Sequence, residues 1–122
     1  MSPTIVLQDG KPLLAAGSPG GATIITTVLQ VLTGRLDRGL SLVDAIAEPR
    51  ASQRNAAQTQ AEPGFLAQPE AEKLKAIGHQ FKPTGEIGSA TGVERLPDGR
   101  WVAAAERERH GGGAAAVVVP TR

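Results

Sequence analysis

Residues 17–30 read GSPGGATIITTVLQ and place a glycine-rich turn directly before a periodic apolar segment. The three glycines of the turn permit positive backbone φ angles, which sharp turns need. Beyond the turn, Ile24, Val28 and Leu32 recur at i, i+4 and i+8, which is the spacing of one apolar helical face. The β-branched residues of this segment favour a strand by propensity alone. Its length and periodicity nevertheless predict a helix over residues 22–37.

The turn at residues 17–21 is the best candidate in the sequence for a chemical site. Its backbone N–H groups are expected to be free, and the positive end of the following helix dipole points at the same place. Such a turn can bind a phosphate, a carboxylate or an oxyanion. It is not a P-loop, because no lysine follows Gly21, and it is not a G-x-G-x-x-G motif. From these residues alone, a tight turn without a ligand is the favoured interpretation.

Two β-hairpins flank the central segment. Asp9-Gly10 and Pro97-Asp98-Gly99 are hairpin turn signals between short runs of strand-forming residues. The predicted strands are 4–8, 13–16, 90–96 and 100–105, and a last apolar run covers 114–119. Strands and helices therefore alternate in blocks, which predicts an α+β fold built from two β-hairpins with intervening helices.

Between the hairpins the sequence predicts two further helices and a loop. Ser41 is a good N-cap for a helix at 42–47. A helix at 69–77 is predicted to end at Gly78, with Leu74 and Ile77 facing inward. The polar, glutamine-rich residues 51–62 predict a surface loop, with a short strand near 59–62.

Composition excludes several classes of protein. Thirteen Lys and Arg against twelve Asp and Glu give a net charge of +1, unlike the basic excess of a dedicated nucleic-acid binder. The chain has no cysteine, which excludes a disulfide framework and a thiol nucleophile. His79 and His110 have no further ligand at metal spacing, so we predict surface histidines, no metal and no cofactor. Residues 106–110 predict a solvated mixed-charge surface, and Arg50 a structural pairing with a carboxylate.

The order of these features resembles the γ-glutamyltransferase family, whose members are also called glutathione hydrolases. The resemblance is carried by Met1-Ser2-Pro3-Thr4, by the turn at 17–21 and by the Ile-Ile-Thr-Thr-Val-Leu-Gln run at 24–30. Pro49-Arg50 and Gly88-Ser89 agree with later landmarks of that family. The resemblance covers the whole chain and is most specific over residues 1–30.

The resemblance implies an N-terminal-nucleophile hydrolase fold, an αββα sandwich in which helices enclose two stacked sheets. It assigns residues 1–122 to the C-terminal part of the small subunit, which is an incomplete domain. In that family an N-terminal threonine, expected upstream of this segment, attacks the γ-glutamyl amide. The resemblance also implies that Gly20 and Gly21 donate backbone N–H groups to the oxyanion hole, with Ser18 and Pro19 supporting the loop.

The implied partners are the rest of the small subunit, the large subunit and a γ-glutamyl substrate, with no nucleic acid. The isolated chain is predicted to self-associate, because the first helix and the sheet edges would leave apolar surface uncovered. We expect no leader or membrane span within this sequence, whereas the family implies a periplasmic, secreted or cell-surface protein. Two alternatives stay open: a non-catalytic binding or structural module derived from this fold, and part of a related cephalosporin acylase.

Overall fold

The computed structural model describes residues 2–110 and 112–120. They form one antiparallel sheet, one mixed sheet and several helices. The strands are β1 (Thr4–Gln8), β2 (Lys11–Gly17), β3 (Ala51–Ser52), β4 (Thr59–Ala61), β5 (Phe81–Pro83), β6 (Thr91–Arg95), β7 (Trp101–Ala105) and β8 (Ala115–Val118). The helices are α1 (Ile24–Leu36), α2 (Leu42–Ala47), α3 (Pro63–Leu66) and α4 (Pro69–Ala76), and a 3₁₀ turn at Gly21–Thr23 precedes α1.

The larger sheet has five strands in the order β1-β2-β6-β7-β8, and every neighbouring pair is antiparallel. The two predicted hairpins are adjacent within it, because β2 of the first pairs with β6 of the second. That long-range pairing brings the end of β2, where the glycine-rich turn begins, beside the start of β6. The smaller sheet has the order β3-β4-β5 and contains one parallel pair, β4 with β5.

Helices α1 and α2 pack on one face of the five-stranded sheet. The core between them is formed by small and aliphatic residues: Leu14, Ala16, Val31, Leu42, Ile46, Ala90 and Ala104. Gly34 permits α1 and α2 to approach closely, because a Cβ placed on it would lie 3.3 Å from Cβ of Ala45. Helix α2 begins as predicted, since the Ser41 side chain accepts a hydrogen bond from the Asp44 N–H.

Several predictions from the sequence require correction. The short strand predicted near 59–62 is confirmed as β4, but the rest of residues 51–62 is not simply a surface loop, because β3 forms there and Ser52 is buried. Ile77 does not face inward: its side chain is 77% exposed, and Ala71 is the buried residue of α4. Strand β5 and helix α3 were not predicted, since β5 is held by its distant partner β4 and carries no alternating pattern of its own.

The outer face of α1 carries exposed apolar side chains, and this predicts self-association of the isolated chain. Ile25 and Leu29 are 71% and 57% exposed, and edge strands β1 and β8 add Ile5, Leu7, Val117 and Val118. We expect the mass measured by sedimentation to rise above 12.6 kDa with concentration. Ile25→Gln with Leu29→Gln should weaken association at least about tenfold, since each buried aliphatic side chain contributes ~1.5–3 kcal/mol. A compact monomer at high concentration would contradict this prediction.

Candidate functional site

The glycine-rich turn contains two exposed residues whose backbone N–H groups make no hydrogen bond to the described part of the chain. Gly20 has φ +140° and Gly21 has φ +57°, both in the region that favours glycine. Both residues are exposed, and no acceptor among the described residues receives the N–H group of either one. The turn closes at its other end, where Gly20 O accepts from the Thr23 N–H at 3.1 Å and from Thr23 Oγ1 at 2.9 Å. The geometry therefore offers adjacent donors at the start of a helix, as the sequence predicted.

Ser18 and Pro19 hold the other side of the turn. Ser18 is buried, and its Oγ donates to the Pro19 carbonyl at 2.6 Å. The same Oγ accepts a hydrogen bond from the Ser89 N–H at 3.0 Å. The residues predicted to support the loop therefore connect the turn to a segment that lies about seventy positions further along the chain.

The segment Ile87–Gly88–Ser89 packs directly beneath the turn. A Cβ on Gly20 would lie 3.2 Å from Cα of Gly88, and one on Gly88 would lie 2.8 Å from Oγ of Ser18. Gly88 has φ +69°, so glycine is required there both by conformation and by space. In the sequence Gly88-Ser89 is only a landmark of the family, because nothing local in these residues reveals contact with the turn.

A buried cluster of two arginines and two glutamates lies behind this segment. Arg50, Glu62, Glu106 and Arg109 are each at most 7% exposed, and their charges cancel. Arg109 donates to both oxygens of Glu62 at 2.6 Å and to Glu106 at 2.9 Å, and Arg50 Nη2 donates to Glu106 at 2.8 Å. Each charge is paired with one of opposite sign, and of the buried side-chain nitrogens and oxygens of these four residues only Arg50 Nε has no hydrogen-bond partner among the described residues. Paired charges of this kind can be buried, whereas an isolated buried charge is very costly.

The cluster also bonds the backbone around it. Glu62 accepts from the N–H of Ile87 at 2.7 Å and from the N–H of Arg50 at 2.8 Å. Arg50 Nη1 donates to the Ile87 carbonyl at 2.7 Å, and Arg50 Nη2 donates to the Ile46 carbonyl at 2.6 Å. Both peptide groups that flank the Ile87 Cα are therefore held by buried charged side chains.

The prediction of a solvated surface at residues 106–110 was wrong for Glu106 and Arg109. Both side chains are buried. Glu106 comes directly after β7, and Arg109, three residues later, forms an ion pair with Glu106. The predicted pairing of Arg50 with a carboxylate is confirmed, and its partner is Glu106. The alternating Glu and Arg residues at the end of a strand were a signal of possible ion pairing. The residues that pair with Glu106 and Arg109 include Arg50 and Glu62, which are distant in sequence.

The pKa values in the cluster follow from burial and pairing. Burial lowers the pKa of Arg50, and the neighbouring Arg109 guanidinium lowers it further. Burial acts to raise the pKa of Glu62, but hydrogen bonds from Arg109, Ile87 and Arg50 outweigh it and hold this pKa below its usual range. Burial acts to lower the pKa of Arg109, and the Glu62 carboxylate reverses this and raises it.

The lowered pKa of Glu62 predicts a specific loss of stability in acid. A carboxyl group whose pKa is lower in the folded state stabilises the fold above its unfolded value of about 4.3, and this contribution fades as pH falls through the folded value. We expect the urea midpoint of the chain to fall steeply below about pH 4.3. The urea midpoint of the Glu62→Gln variant should fall less steeply with decreasing pH. The same pH dependence of the midpoint in the variant and the unmodified chain would contradict the prediction.

The remaining sites considered from the sequence are peripheral. His79 and His110 are exposed, and His110 Nδ1 lies 3.1 Å from a carboxylate oxygen of Glu86. Across residues 2–110 and 112–120, no group of three His, Asp or Glu side chains is placed to hold a metal ion. In the same residues, no helix is long and apolar enough to cross a membrane.

Comparison with known proteins identifies the family. The sequence model of the Gamma-glutamyltranspeptidase family matches residues 1–116. The chain belongs to the γ-glutamyltranspeptidase family. The "Glutathione hydrolase proenzyme" of Escherichia coli strain K12 is 40% identical over 108 residues, which is 87% of this chain and 18% of that protein. The protein of the same name from Bacillus subtilis strain 168 is 41% identical over 81 residues, which is 66% of this chain and 14% of that protein.

The fold agrees with that of solved γ-glutamyltranspeptidases. The enzyme from Pseudomonas nitroreducens, solved in complex with L-DON, superposes with a TM-score of 0.79 at 29% identity. The match covers 93% of this chain and 61% of that chain. The predicted α+β architecture, as part of an N-terminal-nucleophile hydrolase fold, is therefore confirmed. This chain spans only 14–18% of these two curated γ-glutamyltranspeptidase relatives.

Proposed function

We propose that this chain supplies the oxyanion hole of an enzyme that cleaves γ-glutamyl amides such as glutathione. The γ-glutamyl group would pass to water or to an amino acid or peptide acceptor. The observation that supports this most directly is the turn itself, where Gly20 and Gly21 are exposed and their N–H groups have no acceptor among the residues that the structure describes. Donors held in this way stabilise the negative charge that develops on the carbonyl oxygen in acyl transfer.

The contacts around the turn support the following roles. Gly20 and Gly21 donate to the developing oxyanion, and the absence of side chains lets a substrate carbonyl approach their backbone. Ser18 and Pro19 fix the turn, since the Ser18 hydroxyl both donates to Pro19 and accepts from Ser89. The attacking threonine, the remainder of the small subunit and the large subunit complete the site, and residues 1–122 form the C-terminal part of the small subunit. The 122-residue chain alone is expected to be inactive.

A chimaeric proenzyme tests this proposal. The chain replaces the matching segment of the Escherichia coli glutathione hydrolase proenzyme, to which it is 40% identical over 108 residues. We expect the chimaera to cleave itself into two subunits and to hydrolyse γ-glutamyl-p-nitroanilide, faster with a dipeptide acceptor present. A folded and processed chimaera without this activity would overturn the proposal.

Glutaryl-p-nitroanilide serves as the matched control substrate, because it lacks only the α-amino group of the γ-glutamyl compound. Preference for the γ-glutamyl substrate supports the proposal, whereas preference for the glutaryl substrate indicates an acylase. Activity toward neither substrate in a folded, processed chimaera indicates a module without catalytic function.

A further inference from the structure

We propose that Glu62 is a positioning residue for the oxyanion turn, acting through the backbone of Ile87–Gly88–Ser89. This inference rests on the proposed function of Gly20 and Gly21. We call residues 87–89 the brace, because they connect the buried charge cluster to the turn. Glu62 does not contact substrate in this proposal; it fixes the segment on which the donors rest.

The first link is the grip on Ile87. Glu62 Oε1 accepts from its N–H at 2.7 Å, and Arg50 Nη1 donates to its carbonyl at 2.7 Å. Both hydrogen bonds involve a charged, buried group, and such bonds are shorter and stronger than neutral ones. Arg109 holds the Glu62 carboxylate in turn through two hydrogen bonds of 2.6 Å. The peptide planes on both sides of Ile87 are thus fixed in orientation.

The second link joins the brace to the turn. The Ser89 N–H donates to Ser18 Oγ at 3.0 Å. Gly17, the first residue of the turn, pairs with Thr91 in the sheet, and among the described residues the bond to Ser89 is the one hydrogen bond that connects residues 18–21 to a distant segment. Gly88 adds close backbone packing, since a Cβ on Gly20 would lie 3.2 Å from its Cα. A shift of the brace would therefore move the turn, because the Ser18 hydroxyl and the close approach of the Gly20 and Gly88 backbones connect the two segments directly.

The consequence for catalysis is a loss in kcat with little change in KM. The oxyanion forms only in the transition state, so misaligned donors weaken the transition state and leave ground-state binding largely intact. In the chimaeric proenzyme, Glu62→Gln should lower kcat about 30- to 100-fold for γ-glutamyl-p-nitroanilide while KM stays within about threefold. The carboxamide keeps the size of the side chain but cannot accept from Ile87, Arg50 and Arg109 together.

Glu94→Gln is the matched control. Glu94 is also buried, at 3% exposed, and also accepts two or more hydrogen bonds from one arginine, Arg35. It makes no hydrogen bond to the brace or the turn. Glu94→Gln should lower the thermal midpoint but leave kcat within about twofold. Equal losses of kcat in the two variants would overturn the positioning role, since loss of a buried carboxylate would then explain both.

Ser18→Ala tests the same connection from the side of the turn. It also replaces Glu62→Gln as the test if that variant does not fold or does not cleave itself into two subunits. It removes the acceptor for Ser89 without disturbing the charge cluster, and we expect a similar drop in kcat at nearly constant KM. The double variant Glu62→Gln, Ser18→Ala should lose little more than the more damaged single variant, because both interrupt one connection. Unchanged kcat in Ser18→Ala, or multiplied losses in the double variant, would overturn the proposal.

These outcomes are separate from failure of the proposed function. An active parent chimaera supports the proposed function, and the variants then decide the role of Glu62. If the unsubstituted chimaera is folded and processed but hydrolyses neither p-nitroanilide substrate, the oxyanion assignment is overturned, and the positioning role of Glu62 is overturned with it.

Discussion

Replacing Gly20 by alanine in the chimaeric proenzyme should lower kcat/KM for γ-glutamyl-p-nitroanilide by about 100- to 1,000-fold. The backbone at Gly20 has φ +140°, which L-residues rarely adopt. The new Cβ would lie 2.9 Å from Oγ1 of Thr23 and 3.2 Å from Cα of Gly88. Because the second neighbour is backbone, the turn itself must move, and its donors move with it. Losing one oxyanion donor costs about 2.7–4 kcal/mol of transition-state stabilisation, which sets the expected factor.

Gly10→Ala controls for the cost of alanine at positive φ. Gly10 has φ +74° in the turn of the first hairpin, and a Cβ on it would meet no atom within 4 Å. This variant should lose about 1–2 kcal/mol of stability and keep its kcat/KM within about twofold. Steady-state kinetics on the processed forms of both variants checks the prediction. A Gly20→Ala enzyme with nearly normal kcat/KM would show that the turn does not supply the donors.

The part of the site that could be predicted from sequence is the part made by neighbouring residues. The turn at 17–21 and the following helix are adjacent in the chain, so glycine content and apolar spacing were sufficient to place free N–H groups at a helix start. The hairpins and the cap at Ser41 were predictable for the same reason. The family resemblance implied the chemical role that we propose for Gly20 and Gly21, whereas the residues alone favoured a tight turn without a ligand.

The brace and the charge cluster were not predictable because their contacts are non-local. Glu62 meets Ile87 across 25 positions and Arg109 across 47, and no periodic pattern joins them. Glu106 and Arg109 were interpreted as surface residues because charged side chains are almost never buried unless they are paired. Their partners come from the end of β4 and from the residue after Pro49, so pairing required the fold to be known.

The cluster is also where a single substitution should do most damage to stability. Arg109→Met should lower the free energy of unfolding by about 3–5 kcal/mol, because removing one partner of a buried ion pair leaves uncompensated charge. Arg109 donates to Glu62, to Glu106 and to the carbonyls of Glu48 and Ile46. Without it, two buried carboxylates would share the single guanidinium of Arg50. With a urea m-value of ~1–3 kcal/mol/M, the midpoint should fall by about 2 M.

Arg38→Met is the matched control, since it removes an arginine of similar size from a pair at the surface. Arg38 bonds Glu48, and its side chain is 57% exposed, so the loss should be about 0–1 kcal/mol. Urea unfolding of the chain, followed by circular dichroism and by the fluorescence of its single tryptophan, Trp101, measures both variants. Equal midpoints for Arg109→Met and Arg38→Met would mean that water reaches the cluster. In that case, Glu62 and Arg50 could not hold Ile87 as firmly as the positioning of the turn requires.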